Sequence, residues 1–180
     1  MLTARTLVEA RTYLSLLAAA AGAAEQGPPA TSLIEGREAW TVQSAFGDVA
    51  VPYLSEDVSW KIGALYGLGI SQLIDAGQWI LVAETFASRA LEASMSYAGR
   101  PDQDRTIVEQ NWQFAAEALG EAMKFLPEGA QRLPERVFWS GLGERFAHEH
   151  PDRITRAQLV EDYEFYTGAL DDFRVLYGEA

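Results

Sequence analysis

The only histidines of the chain, His148 and His150, lie in the run Ala147-His148-Glu149-His150-Pro151-Asp152. Imidazoles and carboxylates packed this densely are the usual donors of a metal site. The spacing argues against one. In a helix, residues two apart point about 200° from each other, so both imidazoles reach one ion only from extended backbone. Pro151 marks a helix end, and a cation-capable side chain is stabilised there by the helix dipole. The expectation is a helix terminus with no metal and no cofactor.

Other chemical patterns start and then fail. Glu144 and His148 are four apart, whereas the di-iron bundle pattern needs Glu-x-x-His twice. Asp171-Asp172 opens like a paired-aspartate diphosphate motif, but Phe173-Arg174-Val175 follows and the next carboxylate is missing. Phe138-Trp139-Ser140-Gly141 lacks the glycine two before serine that a nucleophile elbow requires. The Trp139-Ser140-Gly141 tripeptide resembles the turn of small helical secreted proteins with a Trp-x-Gly motif. Their export signal needs an acid four residues after a tyrosine, and Tyr163 is followed at that distance by Thr167. Gly63, Gly67 and Gly69 form neither a phosphate-binding loop with lysine nor a dinucleotide fingerprint. No catalytic residue is expected.

Two features remain that could recognise something. Trp40, Trp60, Trp79, Trp112 and Trp139 fall about one per expected helix. They read as core, with an aromatic pocket for a flat ligand as the alternative. Glu161, Asp162, Glu164, Asp171 and Asp172 lie on or beside the polar side of the last expected helix, opposed only by Arg156 and Arg174. Such a face is a solvated surface or a patch that sets partner choice and association rate. These five carboxylates are the candidate binding residues, and Tyr163 or Tyr166 is a candidate anchor if exposed.

The elements that must position them read as helices throughout. Thr6-Leu7-Val8-Glu9 has capping-box spacing, and Leu7, Ala10, Leu14, Leu17 and Ala21 form one stripe. This favours a structural first helix over a cleaved signal segment. Ser32 to Glu35 has the same spacing, so a second helix is expected to carry Ala39, Val42 and Phe46 inward and stop at Gly47. Residues 49–54, with Pro52 inside, read as an extended connector. Ser55 is expected to cap a third helix through Leu73, with Gly63 and Gly67 admitting a close neighbour. Helices over 78–97 and 104–126 follow. Another begins at Leu133-Pro134, weakened by Gly141 and Gly143, and Thr155-Arg156-Ala157-Gln158 caps the last. The expected fold is all-α: one domain over 1–180, about seven helices, an antiparallel bundle or a stack of helical hairpins.

Composition bounds function. The formal net charge is −12, which disfavours phosphate backbones and anionic membranes and favours a basic protein partner. The absence of cysteine removes thiolate chemistry and fits a reducing cytoplasm. Size, charge and missing catalytic motifs resemble the profile of bacterial immunity proteins that neutralise toxic nucleases, although no motif carries that likeness. The reading is a non-catalytic interaction module, an acidic body binding a basic protein. The alternatives are a helical-bundle enzyme or small-ligand binder with an interhelical pocket, and a structural subunit forming a homo-oligomer.

Overall fold

The computed structural model describes residues 2–23, 27–100 and 102–178. Among them it contains six α-helices and a four-stranded sheet, so the fold is mixed and the all-α expectation is wrong. The chain divides into two compact units, residues 1–74 and 75–180.

The first unit holds the sheet. Its strands are β1 (Leu2–Thr3), β2 (Ser32–Glu35), β3 (Ala39–Ser44) and β4 (Gly47–Pro52), ordered β1-β4-β3-β2. β1 runs parallel to β4, and the other neighbours are antiparallel. The expected helix over 32–47 is therefore two strands and two turns. Its apolar positions also fit a period of two: Val42 on β3 and Val49 and Val51 on β4 are fully buried. Leu33 pairs with Val42 and Trp40 with Val51, which sets the register. Ser32 caps nothing. Residues 49–52, expected as a connector, form a strand paired on both sides, with Pro52 at its end where a missing N–H is tolerated.

Helix α1 (Leu7–Ala20) lies against β3 and β4 and buries Ala10, Leu14 and Ala18. Thr6 caps it as expected, accepting from the Glu9 N–H at 3.1 Å. Glu9 is itself buried and pairs with Arg5 at 2.7 Å. Helix α2 (Tyr53–Lys61) is one short helix rather than the long one expected through Leu73. Ser55 lies inside it and donates to the Arg5 carbonyl instead of capping. Gly63, Gly67 and Gly69 have φ of 70°, 104° and 73°, a left-handed conformation incompatible with a helix interior. They turn the chain back towards Arg5, whose Nη1 donates to the Gly69 carbonyl at 2.6 Å.

The second unit is helical: α3 (Ala76–Ser96), α4 (Thr106–Met123), a short 3-10 turn (Glu135–Val137), α5 (Gly141–Glu149) and α6 (Arg156–Tyr177). Three of these match the sequence periodicity closely. Helix α4 packs between α3 and α6. Buried Ala83, Ala87 and Ala90 on α3 and Ala115, Ala118 and Ala122 on α4 let the backbones approach. Phe86 meets Phe114 edge-on, and Trp112 meets both Phe165 and Tyr166. The helix expected from Leu133 splits, because Ser140 starts α5 by accepting from the Gly143 N–H at 2.9 Å. The tight helix crossing glycine was expected to allow belongs to Gly77 and Gly143. A Cβ on Gly77 would lie 2.7 Å from the Gly143 Cα.

Candidate functional site

The acidic helix face is real but differs in membership from the expected set. Glu161, Glu164, Asp171 and Asp172 are exposed on α6, and none of them forms an ion pair among the described residues. At 100° per residue these positions share the outer side of the helix with Val160, Phe165, Val175 and Leu176. All four of those apolar side chains are exposed, Phe165 by 54% and Val175 by 87%. The outer face of α6 therefore alternates unpaired carboxylate with water-exposed hydrocarbon. Sequence reasoning found the acids and missed the apolar half, because Val160, Phe165 and Val175 lie five and ten residues apart and form no i, i+3 or i+4 stripe of their own.

Asp162 leaves that face. Its carboxylate accepts from Arg153 Nη2 at 3.0 Å and from Gln158 Nε2 at 2.9 Å. The same Arg153 nitrogen lies 3.0 Å from Glu84 of α3 without hydrogen-bond alignment to it. Arg153 thus bridges two carboxylates from different helices. Burial raises the Glu84 carboxyl above its ordinary range, outweighing the lowering effect of Arg153 and His150. Burial lowers the Arg153 guanidinium, but the charges of Glu84 and Asp162 raise it overall. Neighbouring Tyr166 is pushed up to about 12, first by burial and then by the charges of Asp162 and Glu84. This cluster is a paired network between helices.

The tyrosine anchors separate cleanly. Tyr163 is 39% exposed, whereas Tyr166 is 6% exposed and packs on Trp112. Only Tyr163 is available to a partner.

The histidines sit at the end of α5, as the sequence implied. The His150 ring lies tilted against Phe146, with centroids 5.1 Å apart. His148 borders an open groove of about 540 Å³ with Glu135, Glu144, Arg132 and Phe138. No group of three histidines or carboxylates able to hold a metal occurs among the described residues. Ser140, at the failed nucleophile motif, donates to the buried Asp75 carboxylate at 2.6 Å. Asp75 also accepts from the N–H groups of Gln78, Trp139 and Ser140. Four donors on one carboxylate tie the first turns of α3 and α5 together, which gives both residues a structural occupation.

The tryptophans divide. Trp79 and Trp112 are core, as expected, but Trp60 and Trp139 are exposed and Trp40 is half-buried. Trp40 and Trp60 border a shallow pocket in the first unit. No helix among the described residues is long and apolar enough to cross a membrane. No known protein family, curated protein or solved structure matches the chain.

Proposed function

We propose that this chain is a non-catalytic interaction module whose α6 outer face binds a basic protein partner. One observation carries the reading: Glu161, Glu164, Asp171 and Asp172 are exposed, unpaired among the described residues, and interleaved with exposed Val160, Phe165, Val175 and Leu176. Unpaired charge alone serves solubility. Charge alternating with uncovered hydrocarbon does more, since the acids steer a cationic surface in and the apolar groups hold it once water is expelled. Association is therefore fast and weakens as salt rises. Tyr163 adds an aromatic contact beside the face.

The experiment is capture from cell lysate by the immobilised chain and by its Asp171→Lys/Asp172→Lys variant, at low and high salt. The reading expects a basic protein that is held by the native chain at low salt. It should be lost at high salt and lost to the variant, with the helical circular dichroism of the two chains identical. Capture that is indifferent to both charge reversal and salt removes the α6 face from the interaction.

A further inference from the structure

Helix α2 places Tyr53, Glu56, Asp57 and Trp60 at i, i+3, i+4 and i+7, and therefore on one face. In a helix that seals a core this stripe is aliphatic. Here it reads aromatic, acid, acid, aromatic. Trp40 of β3 stands edge-on to Tyr53, with ring centroids 4.4 Å apart and planes at 85°. With Leu7 of α1, these side chains line a pocket of about 340 Å³.

The walls are held in place. The Tyr53 hydroxyl donates to the Gly36 carbonyl at 2.6 Å, which fixes the ring. Glu56 accepts the Leu7 N–H at 2.8 Å, which fixes one carboxylate of the lining. Asp57 pairs with Lys61 at 2.6 Å. Trp60 is 82% exposed at the lip, so one indole remains in water where most bury 150–250 Å².

We propose that this pocket binds a methylated ammonium group. The faces of aromatic rings carry the negative side of the ring quadrupole, and three aromatic side chains line the pocket with two carboxylates, so it favours cations over anions. The degree of hydration decides which cation. Each carboxylate already has a donor, Leu7 N–H or Lys61 Nζ. A primary ammonium or a small metal ion must trade its water for hydrogen-bond or ligand acceptors, and the three aromatic rings of the lining offer none. A trimethylated ammonium has no N–H to satisfy and spreads its charge over methyl groups that pack on the rings. The pocket lies in the first unit and does not depend on the α6 reading.

The test follows the tryptophan indole N–H signals by NMR during titration with choline, with its neutral carbon isostere 3,3-dimethyl-1-butanol, and with guanidinium. Choline is expected to shift the Trp40 and Trp60 signals while leaving buried Trp79 unmoved, and the isostere to bind at least about tenfold more weakly. Trp60→Leu, at an exposed position that tolerates change, should weaken choline by about tenfold, and Trp60→Phe should restore part of the loss. A trimethyllysine peptide distinguishes a protein side chain from a free small molecule as the source of the group. Equal binding of choline and isostere, preference for guanidinium, or no shift with choline each overturns the proposal.

Discussion

The two units solve the same problem, fixing a chain reversal, with opposite chemistry. In residues 75–180 the reversal is fixed by a buried anion. Asp75 collects four donors, from Gln78, Trp139 and Ser140, and Gly77 meets Gly143 beside it because neither carries a Cβ. In residues 1–74 it is fixed by a cation. Arg5 pairs with buried Glu9, donates to the Gly69 carbonyl, and packs its stem against Gly67. The anionic node receives backbone donors from two helix starts, where the dipoles favour negative charge. The cationic node donates to the Gly69 carbonyl of a loop that glycine shapes. A node at helix termini is thus tied to regular structure, while a node in a glycine loop depends on backbone conformation.

That difference predicts unequal costs. Asp75→Ala should be the most damaging single change in the chain, because it leaves the buried N–H of Gln78 and the part-buried N–H groups of Trp139 and Ser140 without an acceptor. We expect a loss of about 3–5 kcal/mol, read by urea unfolding of the helical signal. A loss below about 1 kcal/mol would mean that water replaces the carboxylate and that the node is not the anchor. Gly67→Ala comes next. Its φ of 104° strains any Cβ, and that Cβ would lie 2.5 Å from the Cβ of Arg5. We expect a cost of about 1–3 kcal/mol. Gly63→Ala, with φ of 70° and nothing within 4 Å, carries the backbone strain alone. The cost at Gly67 should therefore exceed that at Gly63, and equal costs would remove the Arg5 contact from the comparison.

The same contrast explains what was legible in the sequence. Helices α3, α4 and α6 announce themselves because each carries an apolar stripe over four or more turns, long enough for a period of 3.6 to separate from a period of two. Over 32–54 the strands are only four to six residues long, and Ala39, Val42 and Phe46 fit a helix as well as Trp40 and Val42 fit a strand. The Ser32-to-Glu35 spacing favours a helix locally, but capping-box spacing is a local signal that tertiary pairing overrides. Gly36, ahead of β3, and Gly47, which opens β4, are stronger local signals of turns. Three glycines within seven residues, Gly63, Gly67 and Gly69, likewise argued for a loop more strongly than their apolar neighbours argued for a helix. The Asp75-to-Gln78 capping box, which starts α3, has the same spacing as Ser32 to Glu35 and here forms in full. Of the candidate site, the α6 acids were legible as a patch. Their division into four free carboxylates and one committed to Arg153 was not, because Arg153 lies in the turn before α6, outside the helical period, and its other partner Glu84 is 69 residues away on α3.

The smallest expected effect concerns pH, and it tests whether the second unit tolerates charge between its helices as well as its anionic node suggests. Glu84 is raised above 4.5 chiefly by burial, even with Arg153 beside it. The folded chain therefore binds a proton at Glu84 more readily than the unfolded chain does. The contribution is fully present below the unfolded value near 4.5 and is lost as pH rises through the higher folded value. Ionised Glu84 is thus a net cost at neutral pH, although Arg153 offsets part of it. Glu84→Gln keeps the shape and removes the charge, and Arg153 retains Asp162 as its partner. The variant should be as stable as the native chain or more so at pH 7, and the difference should shrink as pH falls towards 4.5, read by urea unfolding at each pH. The opposite trend, with the native chain favoured at pH 7 and that advantage lost on acidification, would mean that the Arg153 pairing outweighs burial at Glu84. The interhelical network would then stabilise the second unit through charge pairing, as the Asp75 node does through hydrogen bonds.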